Sequence, residues 1–509
     1  MVRPRSRSKD KSPPPGGPES RNSSTVCWKP ISPSAAKPLP RMAACSSRPA
    51  RALSMTTSPA SYQAGSLAYT RRGLLVLSCW LLWGDFAFYF FEAIFLRFIP
   101  IYLKELEASN TLIGIMTGSF AGLVNVLFLP GISKMSDNFR SRLGRRIPFL
   151  LVVTPIVVGT LILVGFAPEI GGWLHDRFAL QIPSGISRGS FILGLLSVLI
   201  ITFHFFNMVL VNGYNWLIRD VVPLQVMARL LAWFRIVGTI SSVLFLWYVF
   251  PHLLTHRGII CLTIGVFYLV VFLLMCFKVR EGTYPAPETA SRKGIFRLYA
   301  DYFRECLQVP LYRNFLLTFL LVIVATNCAT SFTTLFMKES LGISMDGMGR
   351  IFSYTAALSA IVYFPLGWLC DRISPVKVAV GALAGLSLCP LAGYFWVQTR
   401  GDYIAYSLLF ILPTSAWLLS SMAVAMLLFP SEKFGQFSGA MNVFGCGGQI
   451  GGNLLIGFII DHFHNDYRMA LLWIAIFAGA ATIPMILVIR GWLAHGGPAN
   501  YVPPQPLIR

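Results

Sequence analysis

Two carboxylates stand where carboxylates are expensive. In the apolar run that opens at Gly73, Asp85 and Glu92 lie seven residues apart with Tyr89 between them. Seven residues advance an α-helix by about two turns, to within about 20° of the starting direction, so the three side chains share one face. An ionisable group at membrane depth is a functional candidate by default. Here it can bind a proton or sodium ion and accept hydrogen bonds from solute hydroxyls; the competing role is packing, with Arg235 or a neighbouring helix as the neutralising partner. His204, Asn207 and Asn215 form a second polar face, within roughly 80° of one another on a helix. His204 is either a titrating group or a hydrogen-bonded structural one. Asn442, Gln449 and Asn453 make a third stripe among Gly445, Gly447, Gly448, Gly451 and Gly452. The glycines suit close helix packing, and the amides suit a cavity wall. Asn327, Thr330 and Thr334 add polar groups, and Trp417 and Tyr354 offer ring faces to the C–H surface of a solute.

The elements that must position these residues are membrane helices. Of 509 residues, 55% are apolar and only 12% charged, about half the ~25% charge of a soluble domain. Runs such as Gly73–Pro100 and Ile192–Leu217 exceed the ~20 residues that cross a bilayer. That excludes a soluble enzyme. Apolar segments fall at 74–99, 111–135, 147–168, 190–217, 229–252 and 257–278, then at 313–337, 346–370, 376–397, 402–428, 434–460 and 467–492. Each must be helical, because unpaired amides in lipid cost several kcal/mol. The pattern predicts an all-α membrane protein of twelve transmembrane helices. Its parts are a disordered basic tail (1–72), a six-helix bundle (73–279), a linker with an amphipathic helix (280–312), a second bundle (313–492) and a short tail (493–509). The linker stripe is Ile295, Leu298, Tyr299, Tyr302, Cys306 and Val309, accompanied by Arg292, Lys293, Arg297 and Arg304, and suits the inner membrane surface.

The net charge of +21 divides into two parts. Residues 1–72 hold thirteen Lys or Arg against Asp10 and Glu19. This Ser- and Pro-rich stretch cannot bury a core and lacks a signal-peptide apolar region; Met55 is an alternative start, and residues 1–54 are expected to carry no function. Beyond the tail, the loops on its side of the membrane hold about 20 Lys or Arg. The opposite loops hold eight: Lys104, Arg177, Arg188, Arg257, Lys338, Arg350, Arg400 and Arg468. The positive-inside rule places both termini in the cytoplasm. Nucleic acid is not an expected partner. The ten cysteines form no CxxC pair, so neither a disulfide framework nor a metal site is indicated. No phosphate loop or catalytic constellation appears, and no cofactor is expected.

An internal repeat links the halves. Lys104-Glu105 aligns with Lys338-Glu339 and Asp137 with Asp371, both at a shift of 234. Val222-Pro223, Arg229, Ala232, Arg235 and Gly238 align with Phe429-Pro430, Gln436, Gly439, Asn442 and Gly445 at a shift of 207. The long loop 167–189 accounts for the difference. Parallel halves around a midplane site describe a transporter.

The loop Ser136-Asp137-Asn138-Phe139-Arg140-Ser141-Arg142-Leu143-Gly144-Arg145-Arg146-Ile147-Pro148-Phe149 resembles the S-D-x-x-x-S-R-x-G-R-R-x-P-[FY] loop of major facilitator superfamily transporters. Its inserted residues and trailing proline are most like the glycoside–pentoside–hexuronide cation symporters and the plant sucrose transporters. Asp85-Phe86-Ala87, Arg280-Glu281-Gly282-Thr283-Tyr284-Pro285 and Gly367-Trp368-Leu369-Cys370-Asp371-Arg372 extend the resemblance over about residues 73–492. It implies two pseudo-symmetric halves, alternating access, a sugar or glycoside as solute and a cation as driving ion. The sodium-coupled bacterial relatives carry paired aspartates on the second helix. Here that helix has Thr117, Ser119 and Asn125 instead, which shifts the expectation to a proton held by Asp85 or Glu92.

A carboxylate between two helices suits the N-terminus of a third. Asp137 is therefore expected near the start of the eleventh helix and Asp371 near the start of the fifth. With Arg145, Arg146, Arg219 and Arg372 they would form a gate on the cytoplasmic side; the competing reading is charges that only set topology. The sequence thus reads as a monomeric, multi-pass protein of the plasma or inner membrane, with lipid as its surroundings and a small solute as its partner. A non-transporting solute sensor and a translocator of lysolipids or muropeptides are the alternatives.

Overall fold

Short polar caps set where helices begin. Thr70 Oγ1 accepts from the Gly73 amide at 3.1 Å, and Ser109, Ser187 and Ser344 cap later helices the same way. Thr399 and Asp402 complete a reciprocal capping box. Each cap satisfies an amide that the first helical turn leaves unpaired.

In the computed structural model the described residues are 62–504 without 182, 184–185, 285–303, 305 and 431–432. Among them, twelve helices are long and apolar enough to cross a membrane. Spans 1–6 are Arg71–Glu105, Asn110–Asn138, Ile147–Gly165, Arg188–Val221, Leu224–His252 and Arg257–Lys278. Spans 7–12 are Pro310–Ser340, Met345–Ile373, Pro375–Trp396, Arg400–Leu428, Phe434–His462 and Met469–Ala494. The expected fold class is thus observed. Alternation of the twelve spans puts the start of span 1 and the end of span 12 on one face, here the termini face, opposite a far face.

Two expectations need adjustment. Residues 62–69, assigned to a disordered tail, form a hairpin in which β1 (Tyr62–Ala64) pairs antiparallel with β2 (Leu67–Tyr69). Gly65 takes a φ of +56° in the two-residue turn, a conformation glycine adopts without steric cost. Ser66 Oγ accepts from the Thr283 amide at 2.8 Å, tying the hairpin to the segment after span 6. The amphipathic linker helix lies outside the described residues except for its last turn, where Cys306 is buried.

The core is divided unevenly. One buried cluster fills the N-terminal half and continues into the far ends of spans 7, 8, 10, 11 and 12, through residues such as Phe332, Phe352, Tyr403, Ile460 and Tyr467. A second fills the termini side of the C-terminal half, around Tyr312, Phe315, Trp417 and Trp492. The halves therefore share apolar packing at the far face and have separate cores toward the termini face.

Backbone geometry at the far face permits this closure. Spans 2, 5 and 7 each contain a π-helical turn (Ile115–Ser119, Phe245–Val249 and Phe336–Ser340), all in the portion of the span nearest that face. Spans 2 and 11 approach so closely that a Cβ on Gly457 would strike the Asn110 carbonyl. Spans 5 and 8 meet likewise at Gly349 and the Leu246 carbonyl.

Candidate functional site

The separation of the halves leaves polar residues of spans 1, 2, 4, 5, 7, 8, 10 and 11 facing a central space. It consists of two adjoining cavities of about 530 and 490 Å³. Both are lined by Glu92, Leu96, Arg97, Asn327 and Thr330. Toward span 10 the wall adds Tyr89, Thr355, Tyr403 and Tyr406. Toward spans 4 and 11 it adds His204, Asn207, Gln449 and Asn453. These volumes suit small-molecule ligands, and the mixture of apolar wall with a few placed polar groups is usual for such sites.

Glu92 is the acid at the centre. Asn207 Nδ2 donates to its carboxylate at 3.2 and 3.4 Å, which joins span 1 to span 4 at mid-depth. Asn207 Oδ1 is buried with no hydrogen-bond partner among the described residues, so that amide retains acceptor capacity. His204 is committed to its wall: Nε2 lies 2.9 Å from the Met116 carbonyl, in the π-helical turn of span 2 where the regular hydrogen-bond ladder is interrupted. Asn453 donates to the Gln449 carbonyl at 2.9 Å.

Other expected site residues lie elsewhere. Asp85 is 5% exposed and lines neither cavity. Its Oδ2 has no hydrogen-bond partner, and it makes no ion pair with Arg235, among the described residues. Asn215 is exposed nearer the termini end of span 4 and lines neither cavity, while Asn212 lines the wall. Asn442 is exposed nearer the termini end of span 11 and lines neither cavity. Trp417 is packed in the C-terminal-half core, so its ring offers no face to a solute here. Tyr354 packs edge-on against Trp247 at 5.5 Å. The mismatches have two causes: Trp417 and Tyr354 face other helices, whereas Asp85, Asn215 and Asn442 lie at another depth on faces that do line the gap.

The basic loop between spans 2 and 3 builds a compact charge cluster on the termini face. Arg145 holds Asp220 through two bonds, Nη2 at 2.8 Å and Nε at 3.0 Å. Arg146 bonds Asp137, Ser136 Oγ at 2.7 Å and Asp220 at 3.3 Å. Below them the Glu281 carboxylate accepts from the backbone amides of Arg145, Arg146 and Ile147 at 2.9, 2.8 and 2.7 Å. This is an anion seated on the start of span 3, where unpaired amides and the helix dipole favour it. The Tyr284 ring lies 4.1 Å under the Arg145 guanidinium. Burial pushes its hydroxyl above the usual tyrosine range, which keeps it a donor to Glu281 at 3.3 Å.

Asp220 and Glu281 were not singled out from the sequence as members of this cluster. The Arg280–Pro285 motif pointed at Glu281, yet it was read as resemblance rather than as a helix cap. Among the described residues, Asp137 pairs with Arg145 and Arg146 and not with the start of span 11. Arg219 lines the adjoining crevice and Arg372 lies over Trp368. Asp371 is exposed and makes no ion pair among the described residues. The physical reason is the separation of the halves at this face. Among the described residues, Asp137 and Asp371 make no ion pair across it.

The far face is joined by a carboxylate at the end of span 11. Asp461 Oδ1 accepts from the Asn110 amide and side chain at 2.9 and 2.8 Å. Oδ2 accepts from the Thr111 amide and hydroxyl at 2.8 and 2.6 Å. Tyr467 donates to Asn110 at 2.9 Å, and Lys338 pairs with Glu105 at 2.8 Å. Asp461 was not singled out from the sequence either, because nothing local distinguishes it from a loop acid.

A paired twelve-span bundle with a midplane cavity is a transporter architecture, and the sequence decides which one: residues 81–452 match the profile of the Major Facilitator Superfamily. The chain belongs to that superfamily. No curated protein matches the sequence significantly. Solved structures with the same fold include a bacterial homologue of the human lysosomal transporter Spinster, inward-facing and occupied, at 14% identity and TM-score 0.60, covering 82% of this chain and 97% of that one. A mutant of the nucleoside transporter NupG aligns at 15% identity and TM-score 0.62, covering 81% and 99%. A POT family transporter in complex with a thioalcohol-conjugated peptide aligns at 12% identity and TM-score 0.58, covering 82% and 96%. These proteins differ in what they carry, and the superfamily match together with the twelve spans indicates a multi-pass membrane transporter.

The charge cluster makes a direct prediction. Asp220→Ala removes one of the two acids that hold Arg145 and the buried Arg146, leaving Asp137, a loss of about 1.5–3 kcal/mol for hydrogen bonds to a charged group. Arg372→Ala, at an exposed residue, should change stability by less than about 0.5 kcal/mol. Thermal melts of the purified variants in detergent should therefore show a clear drop for Asp220→Ala and none for Arg372→Ala. Equal melting temperatures would contradict the cluster's structural role.

Proposed function

We propose that this chain is a secondary active transporter that moves a sugar or glycoside by alternating access, with a proton on Glu92 as the coupling ion. The observation that carries the proposal is the position of Glu92. It is the acid that both cavities share, and it bonds a neighbouring span through Asn207. A carboxylate there binds a proton in one state and releases it in another, and the change in charge alters what the adjacent cavity holds. The surrounding Asn, Gln, Thr, Ser and Tyr side chains supply donors and acceptors for solute hydroxyls, and the phenol rings supply apolar faces.

On this reading the N-terminal and C-terminal bundles rock about the cavity. The far-face bonds to Asp461 break when the termini face closes. The cluster of Arg145, Arg146, Asp137 and Asp220 lies beside the closing surface, with Asp371 in the corresponding loop of the other half. The basic loops support a cytoplasmic termini face in a plasma or inner membrane, and the self-contained cavity supports a monomer as the working unit.

Asp85 is assigned a supporting role, since it lines neither cavity. The two acids can be separated in proteoliposomes given a sugar and glycoside panel with proton and sodium gradients imposed separately. Glu92→Gln should lose proton-driven accumulation by at least tenfold while retaining exchange of solute across the membrane. Asp85→Asn should retain proton-driven accumulation. Accumulation by Glu92→Gln equal to the wild type, or driven by sodium alone in the wild type, would overturn the proton assignment.

A further inference from the structure

The central cavity contains a cation that the sequence reading passed over. Arg97 ends the first helical segment of span 1, five residues beyond Glu92, and lines both cavities. Its guanidinium lies over the Phe352 ring at 4.2 Å. Among the described residues it makes no ion pair, and Glu92 bonds Asn207 rather than Arg97. A guanidinium presents five donors in a planar fork and remains charged at any physiological pH. Holding it inside a membrane protein without a carboxylate leaves a charge that is costly unless something else neutralises it.

The Arg97 neighbourhood does not read as structural. Phe352 lies beneath the guanidinium carbon, and the arginine lines both cavities. Thr, Asn and Tyr residues in the same walls can hold hydroxyls. Arginine is favoured where a carboxylate or phosphate is recognised through two parallel bonds.

We infer that the transported solute carries an anionic group, a carboxylate or phosphate on a hydroxyl-bearing body, and that this group pairs with Arg97 in the cavity. The inference rests on the proposed sugar or glycoside reading and narrows it. It also gives coupling an electrostatic basis. With Glu92 ionised, its negative charge offsets Arg97 and opposes an incoming anion. With Glu92 protonated, the positive charge of Arg97 is left for the solute, so proton and anion favour one another's binding.

The test uses full-length protein and matched probes: D-glucose, D-gluconate, D-glucuronate and glucose 6-phosphate. Binding is read from ligand-dependent thermal shifts in detergent and checked by uptake into proteoliposomes. At least one acidic probe should bind the wild type ten or more times more tightly than glucose. Comparing the carboxylates with the phosphate identifies the anion. Arg97→Gln should lose that preference at least tenfold, and Arg97→Lys should retain part of it. Glu92→Gln, a fixed neutral side chain, should bind the acidic probe as tightly as the wild type or more so.

Equal or better binding of glucose in the wild type would overturn the anion inference while leaving the sugar reading intact. An acidic preference unchanged in Arg97→Gln would overturn the role of Arg97. Failure of all four probes to bind the wild type would count against both.

Discussion

The conformation of this protein depends on one carboxylate meeting the first amides of one helix. Asp461 receives two backbone amides, one side-chain amide and one hydroxyl from Asn110 and Thr111. Hydrogen bonds to a charged group contribute about 1.5–3 kcal/mol each. The exposed Lys338–Glu105 pair beside it contributes about 0–1 kcal/mol. The cap is therefore the dominant polar contact between the halves, and it is made at only one face. The shared apolar cluster above the cavity and the glycine contacts at Gly457 and Gly349 act in the same place. What these contacts close at the far face, geometry opens at the termini face.

The one-sided closure explains the arrangement of charge. On the termini face Arg145 and Arg146 pair within their own half, with Asp137 and Asp220, above the Glu281-capped start of span 3. A neutralised cluster can remain folded while the opposite half is distant. In the cavity the situation is reversed. Glu92 has an amide partner and Arg97 has an aromatic one, and the proposed coupling rests on this acid and base in one cavity. The same physical rule, that charge in a low dielectric demands a partner, produces a rigid cluster in one place and a responsive site in the other.

Much of this was legible in the sequence. Apolar run lengths gave all twelve spans, because backbone hydrogen bonding in lipid permits little else. The repeat gave the two halves, and Glu92, Asn207, Gln449, Asn453 and Asn327 were recognised as polar groups at membrane depth and do line the cavity. What was not legible was rotation, depth and long-range pairing. Trp417 faces the core of its own half, and Asn215 and Asn442 lie on cavity-lining faces but nearer the termini end of their spans. Asp461 and Asp220 owe their importance to partners 350 and 75 residues away in sequence. Arg97 was passed over because it sits near a span end, where arginine ordinarily reads as an interface charge. The hairpin at 62–69 was hidden by its basic, proline-rich surroundings, although Gly65-Ser66 between short β-prone runs is a hairpin signal.

Inverting a two-state equilibrium from 1:99 to 99:1 takes about 5.5 kcal/mol, a magnitude the Asp461 cap can supply. Its role is best measured by double electron–electron resonance on a cysteine-depleted background. One spin-label pair would sit on the termini face (Arg142 and Lys377), the other on the far face (Arg177 and Gln398). The account predicts a long termini-face and a short far-face distance in the parent protein. Asp461→Ala should shift both distributions in opposite directions, toward a closed termini face and an open far face. Unchanged distributions in Asp461→Ala would contradict it.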